Sequence, residues 1–244
     1  MSIQPHLTVD ESQVSERVIV CGEPDRVNRI ASLLQEAKPV AENREFRLFQ
    51  GKYRNQPITI CSTGIGAPSM LIALEELIQC GAKSIIRVGS AGALQKKVGL
   101  GDLIVAEGAI RDDGGSLAYV EASYPACADF GLLLRIENYL RTQERPYHFG
   151  IIRSHDSFYH DDEAQLRQKW SKKGAIASDM ETSALLTVGR LRGIRTACIL
   201  NNVVLYQQDV KEGIGMYVDA DKVMMDGERI AAKAALEALT YIRS

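Results

Sequence analysis

SIIRVGSAGAL, residues 84–94, decides the fold: an apolar, β-branched run carries Arg87 inside it and breaks at a Gly-Ser-Ala-Gly turn. A short run of this kind bounded by glycine reads as a buried strand that hands over to a loop. Arginine is a poor occupant of such a strand, because burying an unpaired guanidinium costs several kcal/mol. Arg87 therefore asks for an anion. The guanidinium fork pairs bidentately with carboxylate or phosphate, and a glycine turn exposes backbone N–H groups, so inorganic phosphate suits this position.

Outward from this stretch, strands and helices alternate. Upstream, RVIVCG (17–22) reads as a strand, 24–34 as a helix, REFRLFQGKY (44–53) with QPITICS (56–62) as a hairpin-like pair, and 67–79 as a helix. Downstream, DLIVAEGAI (102–110), HFGIIRSH (148–155), AIASDM (175–180) and TACILNNVV (196–204) read as strands. Helical patterns lie between them at 126–142, 161–172 and 182–192, and a long helix spans about 219–242. The alternation predicts an α/β fold with a mostly parallel sheet, and the adjacent strands near 46–62 and 85–110 predict that the sheet is partly mixed or curls. Gly213 to Gly215 reads as a mobile loop.

With 244 residues, 45% of them hydrophobic and 25% charged, the chain reads as one large domain over 1–244. Net charge is −2 and basic residues cluster no further than Lys96-Lys97 and Lys172-Lys173, which argues against a nucleic-acid surface. No stretch approaches the roughly 18 apolar residues of a spanning helix, and the chain is expected to be soluble and cytoplasmic. The five cysteines are widely spaced with no CxxC pair, as expected of reduced core residues.

Ligands in open α/β sheets bind beyond the carboxyl ends of strands. Gly22, Ser62-Thr63-Gly64-Ile65-Gly66 and Gly89-Ser90-Ala91-Gly92 all fall there. Gly22 and Gly89 allow backbone to approach an anion, Ser90 offers a hydroxyl, and helix N-termini after Pro24 and Gly66 add their dipoles. Arg26 and Arg44 join Arg87 at strand-to-turn junctions. Singly, either would read as a surface cation; together they mark a phosphate site. In AIASDMETSALL (175–186) a strand passes into a helix at Glu181, with Asp179 nearby. A carboxylate there can bind sugar hydroxyls and stabilise positive charge at an anomeric carbon, or serve as a first-turn acid favoured by the helix dipole. Met180 supplies an apolar floor.

GEPDRV, NREF, STGIGAPS, IRVGSAGAL, YPACADF, SHDSFY and DMETSALLT, in this order, resemble the nucleoside phosphorylase family over about residues 6–204. This is the group that contains uridine phosphorylases and bacterial-type purine nucleoside phosphorylases. STGIGAPS followed by IALEEL, PACADF and METSALLT is closer to the uridine branch. The resemblance implies a single α/β domain whose mixed sheet curls into a distorted barrel, assembled as a hexamer, a trimer of dimers. It implies a pentosyltransferase of nucleoside salvage that uses inorganic phosphate as co-substrate and no organic cofactor.

Carried onto this chain, the phosphate site is Gly22, Arg26, Arg87 and Ser90, with Arg44 reaching in from a neighbouring subunit. His6 crosses the same interface to the ribose 5′-hydroxyl, Met180 and Glu181 hold the ribose, and Phe158 lies against the base. Arg87, Glu181 and Arg26 are the expected catalytic residues. Glu45, Ile65 and Ser69 match an intersubunit potassium site. Phosphate would attack the anomeric carbon as the C–N bond loosens, giving ribose 1-phosphate and free base. The family's Gln-x-Arg pair for the base aligns here with Asp162-Glu163-Ala164, and Gln165-Leu166-Arg167 offers the pattern three residues later. The aspartate of the purine enzymes has no counterpart in NNVVLYQQD before Asp209. The base therefore stays open among uracil, thymine and purines. A purine nucleoside phosphorylase, a nucleosidase and a non-catalytic nucleoside-binding protein are the alternatives, and the arginines favour phosphorolysis over hydrolysis.

Overall fold

The computed structural model describes residues 3–206 and 220–241. Its organising strand is β5 (Ser84–Ala93), buried along most of its length. At its start β5 lies between two parallel neighbours, β1 (Arg17–Cys21) on one edge and β10 (Arg195–Val204) on the other. The last pair with β1 is Val20 with Arg87, and that edge is taken up again at Gly92 and Ala93 by the antiparallel β9 (Ala177–Asp179). Residues 88–91 are thus left unpaired on one side. Such a switch of neighbours opens a crevice at the carboxyl ends of strands.

β9 runs parallel to β8 (Tyr147–His155), β8 parallel to β6 (Leu103–Asp112), and β6 antiparallel to β10. Because β10 also pairs with β5, these five strands close a mixed barrel. Register shifts at Ala106/Gly108 and Asn202/Val204 provide the bends that closure requires. Beyond β1 the sheet continues through parallel β4 (Gln56–Ser62), then antiparallel β3 (Phe46–Tyr53) and β2 (Gln35–Asn43). A short β7 (Ala126–Cys127) pairs with β6. The expected mixed, curling α/β sheet is present, with β3 and β4 paired as read from the sequence.

Side-chain alternation distributes the core. On one face, α1 (Pro24–Ala31), α4 (Phe130–Leu140) and α7 (Ala220–Thr240) bury Val27, Ile30, Leu132, Ile136 and Leu236 against Ile86, Val88, Ala197 and Ile199. On the other, α2 (Ala67–Gln79) and α6 (Thr182–Leu191) bury Met70, Leu74, Leu185 and Val188 against Val18, Val20 and Ile85. Ala91, Ala93, Ile104, Ile152, Cys198 and Leu200 form a third cluster among the barrel strands. α3 (Gly114–Leu117) and α5 (Glu163–Lys172) complete the described α-helices, and α5 carries no buried residue.

Most differences from the sequence reading lie at element ends. α1 stops at Ala31 rather than 34, and α4 starts at Phe130 because Ala126 and Cys127 are strand. β2 was not expected, since QEAKPVAEN is largely exposed and shows no alternation; its ladder to β3 alone makes it a strand. Gly213 to Gly215 and Asp209 lie outside the described residues. All five cysteines are free; four are buried, and Cys127 is exposed rather than in the core. Burial pushes the Cys21 and Cys198 thiols up to about 12, which keeps them protonated and inert. No described helix is long and apolar enough to cross a membrane.

Candidate active site

The neighbour switch on β5 opens into a cavity of about 340 Å³. β1 and the turn after it contribute Gly22 and Glu23, α1 contributes Arg26, and β5 contributes Arg87, Ser90, Ala91 and Gly92. Ile65 comes from the loop before α2, Met180 and Glu181 from the β9–α6 junction, and His155, Phe158, Glu163 and Arg167 from the end of β8 onward into α5. Of the residues singled out from sequence, Gly22, Arg26, Ile65, Arg87, Ser90, Phe158, Arg167, Met180 and Glu181 line this one space.

Arg87 is 4% exposed. Its Nε donates to Asp179 Oδ2 at 3.2 Å, and its Nη2 donates to Glu181 Oε2. The counter-charge that the sequence reading sought from a bound anion thus comes from the protein's own carboxylates. One donor is left over, for Nη1 is buried without a partner among the described residues. A buried donor without an acceptor costs about 1–3 kcal/mol. Burial works against the Arg87 cation, but Glu181 and Asp179 outweigh it and hold the group firmly charged. Gly89 does not line the cavity. A Cβ there would stand 2.8 Å from Arg87 Nη2 and Leu200 Cδ2, so this glycine makes room for the guanidinium rather than for an anion.

Asp179 is a hub. Its Oδ2 also accepts from the Thr182 hydroxyl (2.6 Å) and amide (3.1 Å), and its Oδ1 accepts from Ser154 Oγ (2.6 Å). Glu181 accepts from the Gly66 amide at 2.6 Å. Gly66 caps α2 with a φ of 88°, a conformation open to glycine, and its N–H is directed at the carboxylate. The dipole expected to meet an anion at this helix start is engaged by Glu181 instead. Burial lifts the Glu181 carboxyl above its ordinary range, outweighing the pull of Arg87.

Arg26 donates through Nη2 to Ser90 Oγ at 2.9 Å and through Nε to Glu228 Oε2 at 2.7 Å. Glu228, on α7, also takes two bonds from Arg29. Burial alone would raise the Glu228 carboxyl, but Arg29 and Arg26 together hold it below its usual range. Arg26 is thereby fixed beside Ser90 and Gly22. Glu228 escaped the sequence reading because it lies 202 positions from Arg26 and sits in an otherwise helical, alanine-rich pattern.

His6, Arg44, Glu45 and Ser69 stay outside this chain's own cavity. His6 Nδ1 lies 2.6 Å from Glu76 Oε1, and the Asn43 side chain donates to its carbonyl at 2.8 Å. Arg44 is exposed, with a φ of 55°, between β2 and β3. Ser69 Oγ donates to Glu45 Oε1 at 2.8 Å, and the Glu45 backbone amide together with this hydroxyl draws the Glu45 carboxyl down. Ile65 is 78% exposed at the lip that joins this patch to the cavity.

α5 separates two residues that the sequence reading had paired. At about 100° per residue, positions two apart point in widely different directions, whereas positions four apart share a face. Arg167 and Glu163 both line the cavity, while Gln165 is exposed and does not line it. Gln165 is therefore not placed to contact a base held there. Arg167 Nη2 donates to the Ala93 carbonyl at 3.0 Å, which anchors α5 to the end of β5. The sequence reading had missed His155 and Glu163. The available signal was an unspent histidine at the carboxyl end of a strand, inside SHDSFY. Burial and then Arg153 depress the His155 imidazole below its ordinary value.

Residues 16–205 match the family model described as "Phosphorylase superfamily". The chain belongs to this superfamily. A guanosine phosphorylase of Halorubrum lacusprofundi is 38% identical over 199 residues, 82% of each chain. A uridine phosphorylase of Thermococcus kodakarensis is 38% identical over 216 residues, 81% of this chain and 76% of its own. The crystal structure of uridine phosphorylase from Vibrio fischeri is 62% identical, covers 98% of both chains and superposes with a TM-score of 0.93. The five-stranded barrel with flanking helices is thus the phosphorylase fold, and the cavity lies at its neighbour switch.

Proposed function

We propose that this phosphorylase cleaves the N-glycosidic bond of a nucleoside, uridine first among the candidates, with inorganic phosphate as the attacking group. The products are free base and ribose 1-phosphate, so the enzyme is a pentosyltransferase. The observation that carries the proposal is the convergence of two guanidinium groups, Arg26 and Arg87, with the Ser90 hydroxyl and Gly22 on one cavity that also contains Glu181. A hydrolase has no use for two arginines beside its nucleophile; an anionic nucleophile such as hydrogen phosphate does.

In this reading phosphate sits among Gly22, Arg26, Arg87 and Ser90. Glu181 takes the 2′ and 3′ hydroxyls and, as an anion, stabilises the positive charge that builds at the anomeric carbon, with Met180 as the apolar floor. Holding nucleophile and sugar in line is worth ~7–11 kcal/mol in well-oriented cases, so no covalent intermediate on the protein is needed. Phe158 faces the base, and Arg167 donates to it as negative charge develops there. Arg44 and His6 belong to the neighbouring subunit's site in a dimer-based hexamer; their position outside their own chain's cavity supports that. Glu45, Ser69 and the Ile65 carbonyl are oxygen donors suited to potassium at the same interface. The alternative base is a 6-oxopurine, as the name of the Halorubrum relative suggests. Uracil and guanine share a ring N–H beside a carbonyl.

The deciding experiment incubates the protein with uridine, thymidine, inosine and adenosine, with and without phosphate, and measures released base. Release that depends on phosphate is expected, greatest with uridine. Equal release without phosphate would make the protein a hydrolase, and binding without release would make it a sensor.

A further inference from the structure

We propose that His155 selects the base, accepting a hydrogen bond from a ring N–H that stands beside a carbonyl while Arg167 donates to that carbonyl. The proposal rests on the nucleoside reading above and deepens it. His155 ends β8 and is only 7% exposed, yet its side chain lines the cavity. Its Nδ1 lies 3.0 Å from the Ser157 carbonyl, and that is the one hydrogen bond the ring makes among the described residues. A carbonyl only accepts, so Nδ1 carries the proton. In the neutral ring Nε2 is then a lone-pair acceptor with nothing donating to it.

The ring has reason to stay neutral at physiological pH. The charged groups that face it are Arg153, Glu163 and Asp179, and burial together with Arg153 outweighs the two carboxylates. Glu163 is already engaged, with both oxygens 3.0 Å from Arg153 Nη1. Arg167 has no acceptor atom at all, spends Nη2 on Ala93, and leaves Nη1 beside Gly92. The cavity therefore presents one neutral acceptor and one cationic donor, from two consecutive segments of chain. That pair complements the –NH–C(=O)– edge of uracil, thymine and 6-oxopurines. Against the –N=C(NH2)– edge of cytosine or adenine it sets acceptor against acceptor and donor against donor. Sites that hydrogen-bond a substrate group discriminate strongly against analogues that cannot reciprocate.

The test uses the full chain with His155→Leu, which fills the space without an acceptor, and His155→Asn, which restores one. For each, kcat/KM is measured for uridine against cytidine and for inosine against adenosine, with phosphate KM and Tm alongside. The leucine variant should lose at least tenfold of the uridine over cytidine preference while phosphate KM stays unchanged, and asparagine should recover part of it. A folded leucine variant with the wild-type preference would overturn the proposal. If wild type releases no base from any nucleoside, the phosphorylase reading fails by itself, and calorimetric binding of free uracil against cytosine still tests His155. Should the leucine variant not fold, the wild-type preference carries the test. It should decline at the pH, below the ordinary imidazole value of 6.5, where the His155 ring is seen by NMR to take up its second proton and becomes a donor at Nε2, and a preference unchanged across that protonation would refute the assignment.

Discussion

Gly22→Ala isolates the anion contact from the stability of the fold. Gly22 lines the cavity, its φ is not positive, and a Cβ built on it meets nothing closer than the Gly64 carbonyl at 3.6 Å. The protein itself therefore has room for the methyl group, which takes up space on the cavity side. Stability should hold or rise by about 0.4–1 kcal/mol, the usual gain when alanine replaces a glycine whose conformation it tolerates. Phosphate, however, would be pushed off the Gly22 backbone. Losing one hydrogen bond to a charged ligand costs about 1.5–3 kcal/mol, equivalent to roughly 10–150-fold in phosphate KM. The assay is steady-state phosphorolysis at saturating uridine with phosphate varied, and thermal unfolding of the same preparation. The expected signature is a raised phosphate KM, an unchanged uridine KM and an unaltered or higher Tm. An unchanged phosphate KM in the folded variant would place the anion elsewhere and remove Gly22 from the site.

Three further outcomes follow from the geometry. Glu181→Gln keeps an acceptor for the Gly66 amide but removes the charge, so kcat should fall by about 10–150-fold with the fold intact, and full activity would leave Glu181 a structural role only. Because burial raises the Glu181 carboxyl above 4.5, wild-type activity should fall with decreasing pH earlier than an ordinary glutamate dictates, and the glutamine variant should lack that limb. If sites are shared across a dimer, Arg44→Ala chains mixed with Glu181→Gln chains should regain about a quarter of wild-type activity, since half the dimers are mixed and each has one intact site. Activity no higher than the average of the two parent variants would confine each site to one subunit.

Much of this arrangement was legible because it is local. SIIRVGSAGAL and RVIVCG are apolar runs ended by glycine, and both are strands that end at the cavity. STGIGAPS followed by an apolar helical pattern placed α2 at Ala67–Gln79, with the boundaries read from the sequence. What stayed hidden depends on distant or directional partners. β2 is an edge strand whose charged sequence has no β alternation and which exists through its ladder to β3. Glu228 meets Arg26 only after the chain returns along α7. The charge balance of Arg87 could not be read either, because Asp179 and Glu181 come to it from 92 and 94 positions away. Gln165 and Arg167 stand two apart in a stretch that reads as a helix, and only the three-dimensional direction of that helix shows that Arg167 lines the cavity while Gln165 is exposed.

The exchange of β1 for β9 along one edge of β5 has a lasting consequence for how this enzyme can change. In the proposed reading the groups around the attacking anion hang from the β1–α1 turn, α1 and β5, whereas those around the base hang from β8 and α5, a different stretch of chain. Rewriting the connection from His155 to Arg167 can therefore alter what is released while leaving what attacks untouched. On that reading, attack and release draw their side chains from different segments of the chain, joined where Arg167 meets the end of β5.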